Sequence, residues 1–180
     1  MDVQLVGWPT EQEKEWVYEC ALGTEGKCTD KMPTDRWLHK ILEARHSPIR
    51  ELWFLFELRD IPYWVSVHLV RHHVGVNCYV QSQRNDRQDN YDRNAARQDT
   101  PITMRMSINA EALMNLANKR LCQKASHETR QVVQMMCLQV LDTCPYFEGL
   151  LVPACEYYGG KCHEMKSCGR WDAKNEQQSE

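Results

Sequence analysis

The chain has 180 residues, 42% apolar and 26% charged, with a formal net charge of −3, a size that buries about two-thirds of its surface in one domain without needing disulfides. Six Trp, seven Tyr and three Phe exclude a disordered chain, and the near-neutral charge gives no global basis for binding nucleic acid or acidic membranes. No apolar run approaches the roughly 18 residues of a membrane span, and residues 1–15 lack a basic segment followed by an apolar one, so an intracellular protein away from the membrane is expected.

Residues 1–33 mix strand-like pieces, at 3–6 and 16–18, with Gly23, Gly26 and Pro33. Thr34 is placed to cap a helix over about 35–45, in which Trp37, Leu38, Ile41 and Leu42 recur at helical spacing. The apolar, aromatic run 51–58 suits a strand. Pro62 then fits a first helical turn, because its missing N–H would be unpaired there, and Trp64, Val65, Val67, Leu69 and Val70 carry this helix to about His73. Residues 84–99 hold four Arg, four Asp and little that could bury, so they predict a loop, either solvated or ordered by a ligand.

Ile102, Met104, Met106 and Ile108 alternate as on one face of a strand, and Asn109 is placed to cap the helix that follows. That helix runs to about Cys122, and a second runs from about 125 to 141. Beyond Cys144-Pro145 the chain is Gly- and Cys-rich and irregular. The order of elements predicts an α+β domain over 1–169 with a Cys-rich segment at 144–169, followed by a flexible tail at 170–180.

Nine cysteines without a secretory leader favour free thiols or a metal over a disulfide framework. Cys155, Cys162 and Cys168, with Cys144 upstream and His163 between, offer soft ligands in a Gly-containing loop. A structural zinc on Cys144, Cys155, Cys162 and Cys168 is one use of them; buried or reactive thiols are the other. His68 and His72, four apart, could also meet a metal from one helical face, although cations at a helix end are equally explained by the helix dipole.

The densest chemistry lies in Arg71-His-His-Val-Gly-Val-Asn-Cys-Tyr-Val-Gln-Ser-Gln-Arg84. Together with residues 46–58, with Asn109-Ala-Glu-Ala-Leu-Met-Asn115, Lys119-Arg-Leu121 and residues 125–128, and with the tail at 153–169, it resembles the flavin-dependent thymidylate synthases. Their hallmark reads Arg-His-Arg-x-x-Ser-x-Asn-Glu-x-Ser-x-Arg-Tyr. The resemblance implies an antiparallel sheet packed with helices and a homotetramer binding FAD at subunit junctions. It also implies methylation of dUMP, or a related pyrimidine nucleotide, at C5 with methylenetetrahydrofolate and NADPH. A bacterial cytosol or a phage-infected cell would suit such an enzyme.

By the same resemblance, Arg71, His72, His73, Asn109 and Asn115 are the flavin contacts. Ser82, Arg84, Arg97 and Arg120 are the nucleotide contacts, with catalytic roles for Ser82, Arg84 and Arg120. Guanidinium, imidazole and amide groups suit phosphates and ring carbonyls. This chain departs from the pattern at His73, where the family has arginine, at Val76 and Val80, and at Glu51, where a histidine is common. Only twelve residues separate Arg84 from Arg97. The alternative implied by these departures is a related C5 reaction, or a nucleotide-binding homologue without the activity.

Overall fold

The computed structural model describes residues 1–88 and 91–170; the expected tail, from 171 onward, lies outside the described residues. The strands are β1 (Asp2–Gly7), β2 (Trp53–Pro62), β3 (Val76–Val80) and β4 (Pro101–Asn109), and the helices are α1 (Glu11–Gly23), α2 (Asp35–Glu43), α3 (Tyr63–Leu69), α4 (Ala110–Arg120), α5 (His127–Thr143) and α6 (Ala154–Tyr157). Short 3-10 turns occupy Ser47–Glu51 and Pro145–Phe147. The strands form one sheet in the order β1-β2-β4-β3, with every pairing antiparallel. This is the α+β arrangement that the sequence predicts. No helix among the described residues is long and apolar enough to cross a membrane.

Alternation along β2 and β4 builds one half of the core. Phe54, Phe56 and Leu58 lie opposite Ile108, Met106 and Met104, and all six are buried; such cross-strand apolar pairs contribute about 0.2–1 kcal/mol each relative to a pair of alanines. Past Leu58 the register shifts where Asp60 takes a φ of 52°, and Ile61 returns to the core opposite Ile102. The other half comes from Leu113 and Leu116 of α4 and from Val132, Val133, Met136 and Val140 of α5, all fully buried. Phe147 meets Phe54 edge-on, with ring centroids 5.5 Å apart. Gln139 of α5 ties down the edge strand β1, accepting from the Leu5 N–H at 2.6 Å and donating to the Val3 carbonyl at 2.5 Å, which shields an edge that would otherwise invite pairing.

Several elements depart from the sequence expectation. Residues 16–18, strand-like by composition, lie inside α1, because Thr10 and Glu13 form a reciprocal capping box that starts a helix there. The strand expected from Glu51 begins at Trp53, since Pro48 opens a 3-10 turn first. The helix after Pro62 stops at Leu69, so Arg71, His72 and His73 leave it in a turn rather than riding its last coil. β3 is an element that the sequence does not mark, because of its five residues only Val76 is buried.

The start of α3 is fixed by the chain before β4. Pro62 ends β2, and the Tyr63 and Trp64 N–H groups, which no helical carbonyl can reach, donate to the carbonyls of Thr100 at 3.0 Å and Gln98 at 3.2 Å. This seven-residue helix is about 10 Å long at roughly 1.5 Å per residue, and each of its ends borders a cleft.

Candidate functional site

The cleft at the C-terminal end of α3 has a volume of about 360 Å³ and is lined by Arg71, His72, Lys119, Arg120, Lys124 and Glu164, among others. Four cations thus face one carboxylate. Arg120 is the last residue of α4. Its Nε donates to His72 Nε2 at 3.0 Å, and its Nη2 donates to the His68 carbonyl at 2.9 Å. Burial, then Arg120, Arg71 and His73, push the His72 pKa down to about 4. Burial and Arg71 also hold the Arg120 guanidinium below its usual value. Lys119 and Lys124 approach Glu164 at 3.5 and 3.9 Å, so the carboxylate is drawn to the lysines and the cleft keeps Arg71 and Arg120 as its open cations.

The second cleft, of about 380 Å³ at the N-terminal end of α3, is lined by Tyr63, Gln83, Arg84, Tyr91, Arg93 and Arg97, among others. Described residues of the charged loop expected at 84–99 form its wall. Arg84 is paired with Asp86 at 2.8 Å through Nε, and Arg97 with Asp99 at 2.9 Å. Both pairs are exposed, and exposed pairs contribute only about 0–1 kcal/mol, so a phosphate could displace either carboxylate. Ser82 is half-buried just after β3 and lines neither cleft. Of the four residues assigned to the nucleotide, the fold therefore brings Arg84 and Arg97 together but sets Arg120 at the other end of α3.

The residues assigned to flavin divide in the same way. Arg71 and His73 are exposed in the turn after α3, where cationic and imidazole donors fit a diphosphate. Asn109 is buried, and its Oδ1 accepts from Ala112 N at 3.0 Å as the cap of α4. Asn115 Oδ1 accepts from Arg45 Nη1 at 2.6 Å, while Arg45 also reaches Asn118 Oδ1 at 2.8 Å and Tyr157 Oη at 3.1 Å. His72 is occupied by Arg120. The chain thus presents Arg71 and His73 openly, and uses the carboxamide oxygens of Asn109 and Asn115 internally.

The expected metal sets are not assembled. His68 Nδ1 lies 3.0 Å from Thr129 Oγ1, and His72 Nε2 is held by Arg120, so the two rings serve hydrogen bonds. Cys155, Cys162 and Cys168 line one small enclosed cavity with Cys122 and His163. Cys144 does not. It is buried between α5 and the following 3-10 turn, beside Tyr146 and Phe147 in the core. Among the described residues, no three His, Cys, Asp or Glu side chains gather closely enough to hold a metal ion, and the cysteines are free thiols.

The clefts also contain residues that sequence reasoning left unassigned. Lys119 and Lys124 flank Arg120, and Tyr63 and Tyr91 line the loop cleft. The basic end of α4 was the available signal for the lysines, whereas Tyr63 looks like ordinary helix in sequence.

A family model described as thymidylate synthase complementing protein matches residues 93–146, the segment that carries Arg97, Asn109, Asn115 and Arg120 but not Arg71. No curated protein matches the sequence. Among solved structures, the chain resembles a flavin-dependent thymidylate synthase from Helicobacter pylori complexed with FAD and dUMP, with a TM-score of 0.68 at 14% identity, covering 83% of this chain and 99% of that one. A second structure of the Helicobacter pylori enzyme with FAD and dUMP gives 0.68 at 16% identity over 84% and 99%. A UMP/dUMP methylase from Streptomyces cacaoi bound with 5-Br dUMP gives 0.65 at 15% identity over 84% and 96%. The chain has the fold of the flavin-dependent thymidylate synthases, as the resemblance in its sequence implies.

Proposed function

We propose that the protein is a flavin-dependent methylase of a pyrimidine nucleotide, transferring the one-carbon unit of methylenetetrahydrofolate to C5 of dUMP to give dTMP, with NADPH as the reductant. The observation that carries this reading is the joining of Arg71, His72 and Arg120, from segments 48 residues apart, in a cationic cleft of a fold shared with proteins that bind FAD and dUMP.

Two of the five N–H groups of Arg120 are spent on His72 and the His68 carbonyl, which leaves three for a ligand. A guanidinium fixed in this way can donate to the O4 carbonyl of a uracil and stabilise charge that develops on the ring as C5 gains its new bond. Arg84 and Arg97 supply cations for the nucleotide phosphate. Because these lie at the other end of α3, the reading includes assembly into a homotetramer in which the loop cleft of one copy completes the Arg120 cleft of another. Arg71 and His73 would hold FAD, which when bound supplies the redox chemistry that brings the transferred carbon to the methyl level. Methylation of UMP is the second reading, favoured by the likeness to a methylase of UMP and dUMP.

The test is a visible spectrum of the protein with FAD, followed by titration of dUMP and of UMP and by release of tritium from [5-³H]nucleotide. A flavin band perturbed by one nucleotide, with tritium release that Arg120→Ala abolishes, is the expected result. Absence of flavin binding, or nucleotide binding without tritium release in the complete mixture, overturns the methylase reading.

A further inference from the structure

We propose that His72 is a positioning residue for Arg120: its Nε2 accepts the Arg120 Nε–H, and with the His68 carbonyl it fixes the guanidinium plane so that the remaining donors face the cleft. The inference rests on the nucleotide role of Arg120 proposed above, and it replaces the flavin-contact role that the sequence resemblance implies for His72.

The geometry is specific on both sides. Arg120 closes α4, where a long side chain would otherwise sample many rotamers, and two hydrogen bonds of 3.0 and 2.9 Å from different N–H groups determine the orientation of a planar fork. The carbonyl that takes the second bond is itself anchored, because the His68 ring is held to Thr129 of α5 at 3.0 Å. For Nε2 to accept, the proton of His72 must sit on Nδ1 and the ring must be neutral. The surroundings enforce this: Arg71 and His73 flank it in the turn, Arg120 and Lys119 face it from α4, Lys124 lies in the next turn, and Glu164 is the carboxylate in the lining. Burial first, then Arg120, Arg71 and His73, keep the ring unprotonated, pushing its pKa down to about 4.

The choice of imidazole has a chemical reason. A carboxylate here would hold Arg120 equally well but would neutralise it, so the charge intended for the ligand would be consumed inside the protein. A neutral imidazole accepts the hydrogen bond and leaves the positive charge in the cleft. Glutamine can do the same through its carbonyl oxygen, whereas alanine and glutamate fail for opposite reasons.

The experiment uses the full chain with FAD. Relative to wild type, His72→Ala and His72→Glu are expected to weaken dUMP binding about tenfold or more, as for loss of one oriented charge-assisted contact, while His72→Gln stays within about threefold. The double variant His72→Ala/Arg120→Ala should bind within about twofold of Arg120→Ala, because coupled residues are not additive. FAD affinity should be unchanged by His72→Ala. Additive losses, or loss of FAD rather than dUMP affinity, overturn the proposal. Ring-nitrogen NMR gives a second readout independent of ligand: an Nδ1–H tautomer at neutral pH, with a pKa that rises in Arg120→Ala. A wild-type protein that binds no dUMP overturns the nucleotide reading alone; the NMR then still decides the pairing, and an Nε2–H tautomer or a pKa insensitive to Arg120 overturns it.

Discussion

Gly75 and Asn109 are packed against each other with no room to spare. The Asn109 N–H donates to the Gly75 carbonyl at 2.9 Å, and a Cβ on Gly75 would lie 2.6 to 2.8 Å from the Asn109 carboxamide. Gly75 also has a φ of 71°, in the left-handed region where a side chain is disfavoured. The turn carrying Arg71 and His72 is thereby keyed to the start of α4, the helix that ends in Arg120.

Gly75→Ala should therefore destabilise the protein by about 2–4 kcal/mol, combining a side chain at positive φ with an overpacked contact. Asn109→Ala removes the cap on Ala112 N and should cost about 1 kcal/mol. Urea unfolding checks both, through a lowered midpoint at unchanged slope.

This contact shows what the sequence could and could not reveal. Asn109 is legible as a helix cap because capping is local chemistry within three residues, and the alternation from Ile102 to Ile108 is legible because a strand face repeats every second residue. That Gly75 presses on Asn109 is a tertiary fact, set by the pairing of β3 with β4. The same holds for the site. Arg71, His72 and Arg120 stand out by residue type and by resemblance, but the bond between His72 and Arg120 spans 48 residues and leaves no periodic trace. The separation of Arg84 and Arg97 from Arg120 follows from the length and direction of α3, and the withdrawal of Cys144 from the other cysteines follows from the burial of its neighbours Tyr146 and Phe147.

Stability should fall on acidification across a window set by His72. In the unfolded chain its ring titrates near an ordinary value of about 6.5; in the fold it titrates at about 4. Between these values the unfolded state binds the extra proton, so the stabilisation is fully present above about pH 6.5, declines as the pH falls, and is lost below about 4. His72→Gln should flatten this slope. Unfolding in urea at a series of pH values for both proteins, read as the difference between them, measures it.

Arg45 holds three segments together, donating to Asn115, Asn118 and Tyr157 while lying 4.6 Å from the centre of the Tyr157 ring. Arg45→Ala should cost about 1–3 kcal/mol, since the buried Asn118 loses a donor to its carbonyl oxygen. Arg45→Lys should recover only part of it, because an ammonium cannot span all three acceptors as a planar fork does. Thermal unfolding of the three proteins ranks them.

The thiols should differ sharply toward iodoacetamide. Cys28 is exposed, whereas Cys137 is buried and its pKa is pushed up to about 12, and burial pushes that of half-buried Cys78 up to about 11. Alkylation follows the accessible thiolate. Mass spectrometry of native protein at mildly alkaline pH should find Cys28 modified early and Cys137 only after denaturant is added.

The loop between β3 and β4 leaves and re-enters the sheet through a narrow neck, pinched by paired bonds of 2.9 Å from Gln81 N to the Thr103 carbonyl and from Thr103 N to Gln81 Oε1. A neck of this kind uncouples the length of the excursion from the register of the strands, because closure entropy grows only with the logarithm of loop length. The wall between Arg84 and Arg97 can be shortened or extended without shifting the strands, provided that the Gln98 and Thr100 carbonyls stay in place to hold the start of α3, and with it the frame that sets His72 against Arg120.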